Sequence, residues 1–342
     1  SCMDIKTKKQ IDVTAAIIVK DLKVFAARRK QGTHLAGYWE FPGGKLEQGE
    51  TPEQCLAREL QEEFKITTRI GDFIAENIYD YGSKIVRLLA YQVEHVSGDF
   101  QLIDHDELRW LTMDELDSVE WAPADIPLVE HYKMMASTAD FYDKNAQAYC
   151  EETQAFNVDE LHQSFLKRLP QGGHILDLGC GSGRDSNAFI NKGYTVTAVD
   201  GSAEIAKCAE SFIGQPVIVS TFQALSYNNV FDGVWASASL LHCPRVQIHD
   251  VLSRIALALK PNGLAFMSFK WGEDETMDQR GRYFNNYTLS TFQGLIDGIP
   301  EIEVLELWSE TKLLRDSEQQ WLNVLVSKKS NDSKFSKGSK SV

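Results

Sequence analysis

The sequence predicts an α+β domain followed by an α/β domain built on a parallel sheet. In the first part of the chain, short segments rich in β-formers flank one amphipathic helix at residues 52–64. From about residue 141, apolar strands alternate with helices, a rhythm typical of parallel strands joined by crossover helices. At 342 residues the chain is long enough for two domains, each with a sizeable core.

The change of rhythm also predicts the domain boundaries. The first domain is expected to cover residues 1–135 and the second residues 141–329, joined by a small, polar linker at 136–140. Residues 330–342 are rich in Ser and Lys and are therefore expected to form a disordered tail.

Composition favours a protein of the reduced cytoplasm. The six cysteines, at positions 2, 55, 150, 180, 208 and 243, show no C-x-x-C spacing, which argues against a disulfide or zinc framework. A net charge of −14 argues against stable binding to nucleic acid or to a membrane surface, because phosphates would be repelled. Since no signal peptide and no bilayer-spanning apolar run are present, we expect a cytoplasmic localisation and no membrane partner.

The helix at 52–64 is the best-defined element of the first domain. Thr51 can cap it, Pro52 suits its first turn, and Gln54 completes a capping box. Around this helix the sequence predicts strands at 13–19, 23–27, 74–79 and 85–95, and a further helix at 113–118 or 125–135. These elements form the predicted α+β unit.

Three glutamates, Glu59, Glu62 and Glu63, share one side of that helix. Their repulsion costs only a few tenths of a kcal/mol per pair, so a solvated acidic surface would tolerate it. The alternative is a divalent-cation site, since Mg²⁺ takes carboxylate oxygens together with substrate phosphates. The Gly-Gly turn at 43–44, followed by Lys45, favours this second interpretation because it lets backbone and a cation approach a ligand closely.

Residues 44–66 resemble the Nudix box, G-x5-E-x7-R-E-U-x-E-E-x-G-U with U aliphatic, at every fixed position except one. The exception is Lys65, where the family has glycine. A lysine there either strains a left-handed helix end by about 1 kcal/mol or marks a different helix end. Together with the stretches 25–29, 39–45, 104–110 and 121–127, the box resembles MutT-type 8-oxo-dGTP diphosphatases and CTP pyrophosphohydrolases.

This resemblance implies the Nudix α+β fold and cleavage of a nucleoside triphosphate to the monophosphate and pyrophosphate, with Mg²⁺ or Mn²⁺ as cofactor. Because the family often has Glu where this chain has the shorter Asp104, the role of that residue as metal ligand or proton acceptor is less direct. The site residues that it implies are the metal ligands Glu59, Glu62, Glu63 and Gly44 (through the carbonyl), the orienting Arg58, the acid Asp104, and the phosphate-binding Lys45 and Arg29.

Asp125 occupies the position where these enzymes place a residue that reads the edge of the base. An ionised Asp only accepts hydrogen bonds and suits a cytosine amino group, whereas a neutral Asp could also donate and would suit an oxidised purine. The alternative role for Asp125 is an N-cap of the helix that follows it. The sequence leaves both the role and the base open.

The sheet of the second domain starts with a strand at 175–178 that runs into a glycine-rich turn. A dinucleotide site is disfavoured, because the G-x-G-x-x-G spacing is absent and Asp177 would repel a pyrophosphate. Asp177 instead suits a cationic ligand, and Asp200, ending the next strand, is placed to bind ribose hydroxyls. The remaining predicted elements are helices at 185–192, 203–213 and 246–259 and strands at 196–199, 216–220, 233–237 and 264–269.

Residues 139–329 resemble class I S-adenosylmethionine-dependent methyltransferases, through the 174–183 turn and the stretches 141–149, 231–242 and 259–263. The resemblance implies S-adenosylmethionine as cofactor and a Rossmann-like α/β fold closed by antiparallel strands at 301–308 and 321–328. The cofactor-binding residues that it implies are Asp177, Gly179, Gly181, Asp200, Tyr142, Tyr149, Phe222 and Gln223.

The methyl acceptor is open, and a small molecule is favoured because the motifs for methylating nucleic-acid bases are absent. His242 is either a base beside the methyl group or a structural histidine, and residues 282–287 either line the acceptor pocket or pack on the sheet. We therefore predict a bifunctional enzyme. The alternatives are a methyltransferase regulated by a nucleotide-sensing Nudix domain, which only Lys65 supports, and Nudix hydrolysis of ADP-ribose or nucleotide sugars.

Overall fold

The computed structural model describes residues 8–156, 158–314 and 317–330. Contacts between Cα atoms divide the chain into two compact units, residues 1–133 and 134–342. The expected linker at 136–140 is not a separate loop, because it lies inside the continuous helix Ile126–Lys144. Of the expected tail, residues 331–342 lie outside the described part of the chain.

The first unit contains a six-stranded mixed sheet. Its strands are β1 (Gln10–Lys20), β2 (Lys23–Arg29), β3 (Trp39–Glu40), β4 (Thr67–Asp80), β5 (Ile85–Ser97) and β6 (His105–Leu111), and its helices are α1 (Pro52–Phe64) and the start of α2 (Ile126–Lys144). The strand order is β3-β2-β1-β5-β4, with β6 paired to β2; β1 and β5 run parallel and the other pairs antiparallel. A 3₁₀ helix at Met113–Ser118 precedes α2, so both positions considered for the further helix are helical.

Helix α1 begins with the capping box that the sequence predicts. Thr51 Oγ1 accepts a hydrogen bond from the Gln54 N–H at 3.1 Å, and Gln54 Oε1 accepts one from the Thr51 N–H at 3.0 Å. Leu56, Leu60 and Phe64 are fully buried, and burial of each such side chain contributes roughly 1.5–3 kcal/mol. This apolar packing fixes the rotation of α1 and therefore the direction of its acidic side.

Lys65 ends α1 in the left-handed conformation that glycine normally takes, with φ 58° and ψ 34°. Its N–H donates to the Gln61 carbonyl at 3.1 Å, so the left-handed helix end is kept and the lysine tolerates the strain. Of the two possibilities that the sequence leaves open, a strained left-handed lysine is the one observed.

We expect Lys65→Gly to stabilise the first unit by roughly 0.5–1 kcal/mol. Glycine takes this conformation without a steric penalty, and its greater freedom in the unfolded chain offsets only part of the gain. Urea unfolding of the full chain measures the change. Gln61→Gly, in the last right-handed turn of the same helix, is the control and should cost about 1 kcal/mol. A similar loss in both variants would contradict the assignment of strain to Lys65.

The second unit contains a seven-stranded sheet in which five neighbouring strands run parallel. Its strands are β7 (His174–Leu178), β8 (Thr195–Asp200), β9 (Ile218–Val219), β10 (Phe231–Ala236), β11 (Leu259–Lys270), β14 (Ile302–Leu314) and β15 (Ser317–Lys328), and a separate pair is β12 (Glu275–Met277) with β13 (Tyr283–Asn285). Its helices are α3 (Ala146–Gln154), α4 (Asp159–Leu166), α5 (Arg184–Asn191), α6 (Ala203–Ile213), α7 (Arg245–Ala258) and α8 (Leu289–Asp297).

The order of this sheet, β14-β15-β11-β10-β7-β8-β9, confirms the predicted α/β architecture. Strand β15 runs antiparallel to β11 and β14 antiparallel to β15, as predicted for the closing strands. The strand expected at 216–220 is shorter in the structure, where only the exposed residues Ile218–Val219 form an edge strand. Helices α3, α4 and α8 and the pair β12–β13 were not predicted from the sequence.

None of the helices in the described residues is both long and apolar enough to cross a membrane. The cysteines at 55, 150, 180, 208 and 243 are free thiols in this structure.

Candidate active sites

Arg58 is the centre of an ion-pair network on α1 and the loop before it. Its guanidinium donates to Glu50 Oε1 at 2.7 Å, to Glu59 Oε1 at 2.9 Å and to Glu62 Oε2 at 3.2 Å. The hydrogen bond from Arg58 lowers the pKa of Glu50 to about 2. Arg58 therefore holds the side chains of two predicted metal ligands.

Glu59 and Glu63 form a partly buried pair of carboxyl groups beside the Gly-Gly turn. Glu59 lies so close to Gly44 that a methyl group there would overlap its carboxylate. Burial raises the pKa of both glutamates, and nearby carboxylates add to burial to bring the pKa of Glu63 to about 8. An interaction between the Glu63 and Glu59 side chains contributes to the shift in the pKa of Glu63. Partly buried carboxyl groups that raise each other's pKa fit a divalent cation, which would relieve their repulsion.

The glutamates are not arranged as a finished metal site. Across the described ranges, no group of three or more His, Cys, Asp or Glu side chains is placed to hold a metal ion. Arg58 holds the Glu62 carboxylate, and burial together with neighbouring carboxylates raises the pKa of Glu63. The assignment of these three side chains as ligands therefore stays a prediction.

The Gly44 carbonyl, predicted as a metal ligand, accepts two hydrogen bonds in this structure. They come from the Thr14 N–H at 2.8 Å and from the Thr14 hydroxyl at 3.1 Å. Both bonds tie the turn to β1, and the metal-ligand role of this oxygen stays a prediction. Position 44 contributes through its missing side chain, which leaves room for Glu59.

Glu40, at the end of β3, joins the acidic side of α1 to a second polar cluster. Its Oε1 accepts from Arg29 Nη1 at 3.0 Å and lies 2.9 Å from His105 Nε2. His105 is buried, and its ring stacks on Phe64 of α1. Glu40 and His105 have no role predicted from the sequence, although Glu40 is a charged residue in the otherwise apolar run 39–42 and could have indicated one. Glu40 thus holds the predicted phosphate-binding Arg29 near the glutamates.

Asp104 and Lys45 lie at the border of this cluster. The Asp104 carboxylate is one of the groups that raise the pKa of Glu63, and it forms a long ion pair with Lys30 at 3.9 Å. Lys45 is exposed, and its carbonyl oxygen accepts from Arg58 Nη2 at 3.4 Å. The structure thus brings Asp104 towards Glu63 and the Lys45 backbone towards Arg58.

Asp125 is only 5% exposed, at the end of the 3₁₀ turn Pro123–Asp125. Its Oδ2 accepts from the Phe41 N–H at 3.2 Å, a contact that does not support the N-cap role. Burial, and after it the carboxylate of Glu40, raises the pKa of Asp125 well above its usual range. Since Oδ1 forms no hydrogen bond with any described residue, a neutral Asp125 can use it to donate or to accept.

In the second unit, a pocket lies around the glycine-rich turn after β7. Gly179 and Gly181 have left-handed backbone, at φ 74° and φ 55°, and a methyl group on Gly179 would overlap Ser239. Both positions therefore favour glycine for conformation, and Gly179 requires it for close approach as well. The pocket is lined by the predicted residues Tyr142, Tyr149, Gly179, Gly181, Asp200 and Phe222, together with Gly201, Ile205, Ala238, Ser239 and His242.

Asp200 connects this turn to the end of β8. Its Oδ2 accepts from the Gly181 N–H at 2.9 Å, and its Oδ1 accepts from the Ser202 N–H at 3.0 Å. Burial raises the pKa of Asp200, although both hydrogen bonds oppose the shift. The carboxylate is thus oriented at the pocket wall, where the sequence predicts a ribose contact.

Two predicted cofactor residues do not line the pocket. Asp177 is 2% exposed and accepts a hydrogen bond from the Ser186 hydroxyl at 2.6 Å. Burial, and next the carboxylate of Asp185, raises its pKa to about 8, so it does not present the exposed negative charge that was expected to meet a cationic ligand. Gln223 donates to the side-chain oxygen of Gln247. Both residues support the pocket from outside it.

Asp177→Asn should change how stability depends on pH. The fold raises the pKa of Asp177 from 3.8 to about 8, so between these values the native state keeps a proton that the unfolded chain releases. The stability contributed by this group therefore falls as pH rises through that window, whereas asparagine has no such slope. Urea unfolding from pH 5 to pH 8 should show that the stability of the variant relative to wild type increases with pH.

Asp185→Asn is the matched comparison. Burial alone would raise the pKa of Asp185, but hydrogen bonds from His162 and Arg184 hold it below its usual range. This variant should therefore lose stability at neutral pH, and the loss should shrink as the pH falls through the acidic range. A pH-independent difference between Asp177→Asn and wild type would contradict a neutral, buried Asp177.

Comparison with known proteins identifies both halves as enzyme domains. Residues 8–132 match the family described as NUDIX domain, and residues 175–263 match the family described as Methyltransferase domain. The chain belongs to the Nudix family through its first domain and carries a class I methyltransferase domain as its second. Both resemblances predicted from the sequence, and the fold classes that they imply, are confirmed.

Individual relatives of the first domain agree with this assignment. The CTP pyrophosphohydrolase of Escherichia coli (strain K12) is 40% identical over 124 residues, which are 36% of this chain and 92% of that protein. The 8-oxo-dGTP diphosphatase of the same strain is 31% identical over 128 residues, which are 37% of this chain and 99% of that protein.

A solved methyltransferase structure can also be aligned with this chain. It is the 1,6-didemethyltoxoflavin-N1-methyltransferase of Burkholderia thailandensis, which aligns over 61% of this chain and 92% of its own, with 20% identity and a TM-score of 0.49.

Proposed function

We propose that the first domain hydrolyses a nucleoside triphosphate to the monophosphate and pyrophosphate. The observation that carries this proposal is the set of carboxyl groups on α1, oriented by Arg58 beside the Gly-Gly turn. Glu59, Glu62 and Glu63 would hold Mg²⁺ or Mn²⁺, which when bound supplies an activated water and neutralises phosphate charge.

Other side chains near the glutamates would accept the water proton and neutralise the phosphate charge. Water adds to a phosphorus atom, the bridging P–O bond breaks, and the water proton passes to a carboxylate, for which Asp104 is the candidate. Arg29, held by Glu40, and the exposed Lys45 would neutralise charge on the phosphate oxygens.

Asp125 would read the base. A buried, neutral Asp125 offers Oδ1 as donor or acceptor, which favours an oxidised purine such as 8-oxo-guanine. Cytosine stays the second candidate, because a cytosine amino group can donate to the same oxygen and the relative with the higher identity of the two above is a CTP pyrophosphohydrolase.

A substrate panel tests this proposal. With Mg²⁺ present, and with the nucleoside monophosphate product measured for every substrate, we expect cleavage of 8-oxo-dGTP or CTP at a kcat/KM at least tenfold above that for ADP-ribose or UDP-glucose. Faster cleavage of ADP-ribose or UDP-glucose would indicate that the substrate is ADP-ribose or a nucleotide sugar instead. Absence of cleavage with every nucleotide, together with nucleotide-dependent methyl transfer, would favour the sensing role instead.

We infer that the second domain transfers a methyl group from S-adenosylmethionine to a small molecule. The pocket lined by Gly179, Gly181 and Asp200 supports this, because it lies where parallel-sheet folds bind nucleotides. The bound cofactor would supply the electrophilic methyl group, while Asp200 would hold its ribose and Tyr142 and Tyr149 would cover it. Calorimetric titration with S-adenosylhomocysteine tests the assignment, and the absence of binding would contradict it.

A further inference from the structure

His242 and Tyr142 form a hydrogen-bonded pair in the wall of the methyltransferase pocket. His242 Nδ1 lies 2.7 Å from the Tyr283 carbonyl oxygen, which can only accept, so Nδ1 carries the proton. The Tyr142 hydroxyl lies 2.6 Å from Nε2 and donates to it. Burial lowers the pKa of His242 to about 4 and thus favours a neutral ring. The pocket wall at this point contributes no charge of its own.

Positive charge lies immediately behind this neutral pair. Arg282 donates from Nη1 to the Tyr142 hydroxyl at 3.3 Å, and its guanidinium lies 5.2 Å from the ring centroid of Phe284. Its ion pair is with Asp278, at 2.8 Å. Arg282 and Lys270 both act on His242, since each lowers its pKa.

Lys270 is the unusual member of this cluster. It ends β11, and its Nζ lies 3.8 Å from the ring centroid of Phe284, which itself packs on His242 with ring centroids 4.8 Å apart. Within the described ranges its side chain forms neither an ion pair nor a hydrogen bond. Burial, and next the charge of Arg282, lowers the pKa of Lys270, so its ammonium group is poorly solvated. A partly buried amine that contacts an aromatic face and forms no ion pair gains strongly from an anion.

The balance of charge at this edge is positive. Two cations, Lys270 and Arg282, face one carboxylate, Asp278, in a chain whose net charge is −14. The aromatic faces of Tyr142 and Phe284 lie beside the cations. An oxyanion on a compact, largely planar molecule complements such a surface, whereas a neutral or cationic acceptor leaves Lys270 without a partner.

We propose that the methyl acceptor is an anionic small molecule whose carboxylate or phosphate binds at Lys270 and Arg282, next to His242. This assignment rests on the methyltransferase function proposed above, and it names the substrate class of that site. Lys270 is a specificity-determining residue, and Phe284 holds its ammonium group in place.

The test uses the full chain and a small-molecule metabolite extract that has passed an ultrafiltration membrane. The extract is separated on a strong anion exchanger before the assay, so that the acceptor rather than its product is classified. Each fraction is then incubated with methyl-labelled S-adenosylmethionine. Treating the retained fraction with alkaline phosphatase distinguishes phosphate-bearing acceptors, which lose retention, from carboxylates, which keep it.

We expect the acceptor in the retained fraction and at least a tenfold loss of kcat/KM in Lys270→Met, chiefly through KM. Lys270→Arg should recover part of that loss. Lys260→Met is the matched control, because it removes a lysine from the opposite end of β11, beside Asp232, and should keep wild-type transfer. S-adenosylhomocysteine should bind all four proteins with Kd values within about twofold, since Lys270 does not line the cofactor pocket.

The possible results distinguish a failure of the methyltransferase function from a failure of the anionic-acceptor proposal. If wild-type protein fails to bind S-adenosylhomocysteine, the methyltransferase function itself fails. If it binds but the acceptor is in the unretained fraction, no fraction accepts label, or Lys270→Met transfers like wild type, the anionic acceptor is overturned while the cofactor assignment stands.

Discussion

Glu59→Gln should lower kcat/KM for triphosphate hydrolysis by roughly 100- to 1,000-fold. Glu59 lies against Gly44, is held by Arg58 and interacts with Glu63, so its carboxylate lies at the centre of the proposed cation site. Glutamine keeps the volume but removes the charge and one acceptor oxygen. We also expect Mn²⁺ affinity, measured by electron paramagnetic resonance, to fall about tenfold or more.

Glu53→Gln is the matched control. Glu53 is an exposed glutamate in the first turn of α1, so the substitution and the helix are the same but the position lies away from Glu63. Its activity and Mn²⁺ affinity should stay within about twofold of wild type. If Glu59→Gln kept hydrolysis within a few-fold while folding normally, the carboxyl groups of α1 would not be the site of the reaction.

Asp200→Ala should weaken S-adenosylhomocysteine binding by roughly 100-fold, or about 2.7 kcal/mol. Two effects combine. The charge-assisted hydrogen bonds proposed to the ribose hydroxyls would be lost, and the N–H groups of Gly181 and Ser202 would lose their acceptor. Calorimetric titration measures the dissociation constant, and thermal unfolding of the free protein shows how much of the effect is structural.

Asp200→Asn and Asp250→Ala complete this experiment. The asparagine variant would keep one acceptor oxygen, so its loss of affinity should be smaller than that of the alanine variant. Asp250 pairs with Arg254 on the exposed side of α7, and its replacement should leave the dissociation constant unchanged. Equal affinities for wild type and Asp200→Ala would remove Asp200 from the cofactor site.

The local sequence pattern was sufficient to predict several features of the first domain. The cap residues Thr51 and Gln54 form their predicted hydrogen bonds, and the apolar residues Leu56, Leu60 and Phe64 are buried as their spacing requires. Short-range geometry determines both features, because they depend on residues within one or two helical turns. The glycines 179 and 181 were predictable for the same reason, since their role follows from backbone conformation.

Contacts between residues distant in sequence were not predictable in this way. The Gly44 carbonyl is used by Thr14, 30 positions away, and Glu40 meets His105 across 65 positions. Asp177 lies in β7 just before the glycine-rich turn, where an acid was expected to meet a cationic ligand, yet it is buried and accepts a hydrogen bond from Ser186. Sequence spacing does not show which distant polar group will form a hydrogen bond with a given oxygen atom, because that depends on how separate helices and strands pack.

The acidic side of α1 shows most clearly which features follow from local sequence and which depend on tertiary packing. By itself the sequence determined the Nudix box, the glycine-rich turn of a methyltransferase, and the two fold classes, since each depends on residue types at fixed local spacing. Tertiary structure alone decided that Arg58 pairs with Glu59 and Glu62, that Asp125 is buried with a raised pKa, and that Lys270 contacts an aromatic ring. The reason is physical: burial and neighbouring charge set the protonation and pairing of these groups, and both are properties of the packed chain.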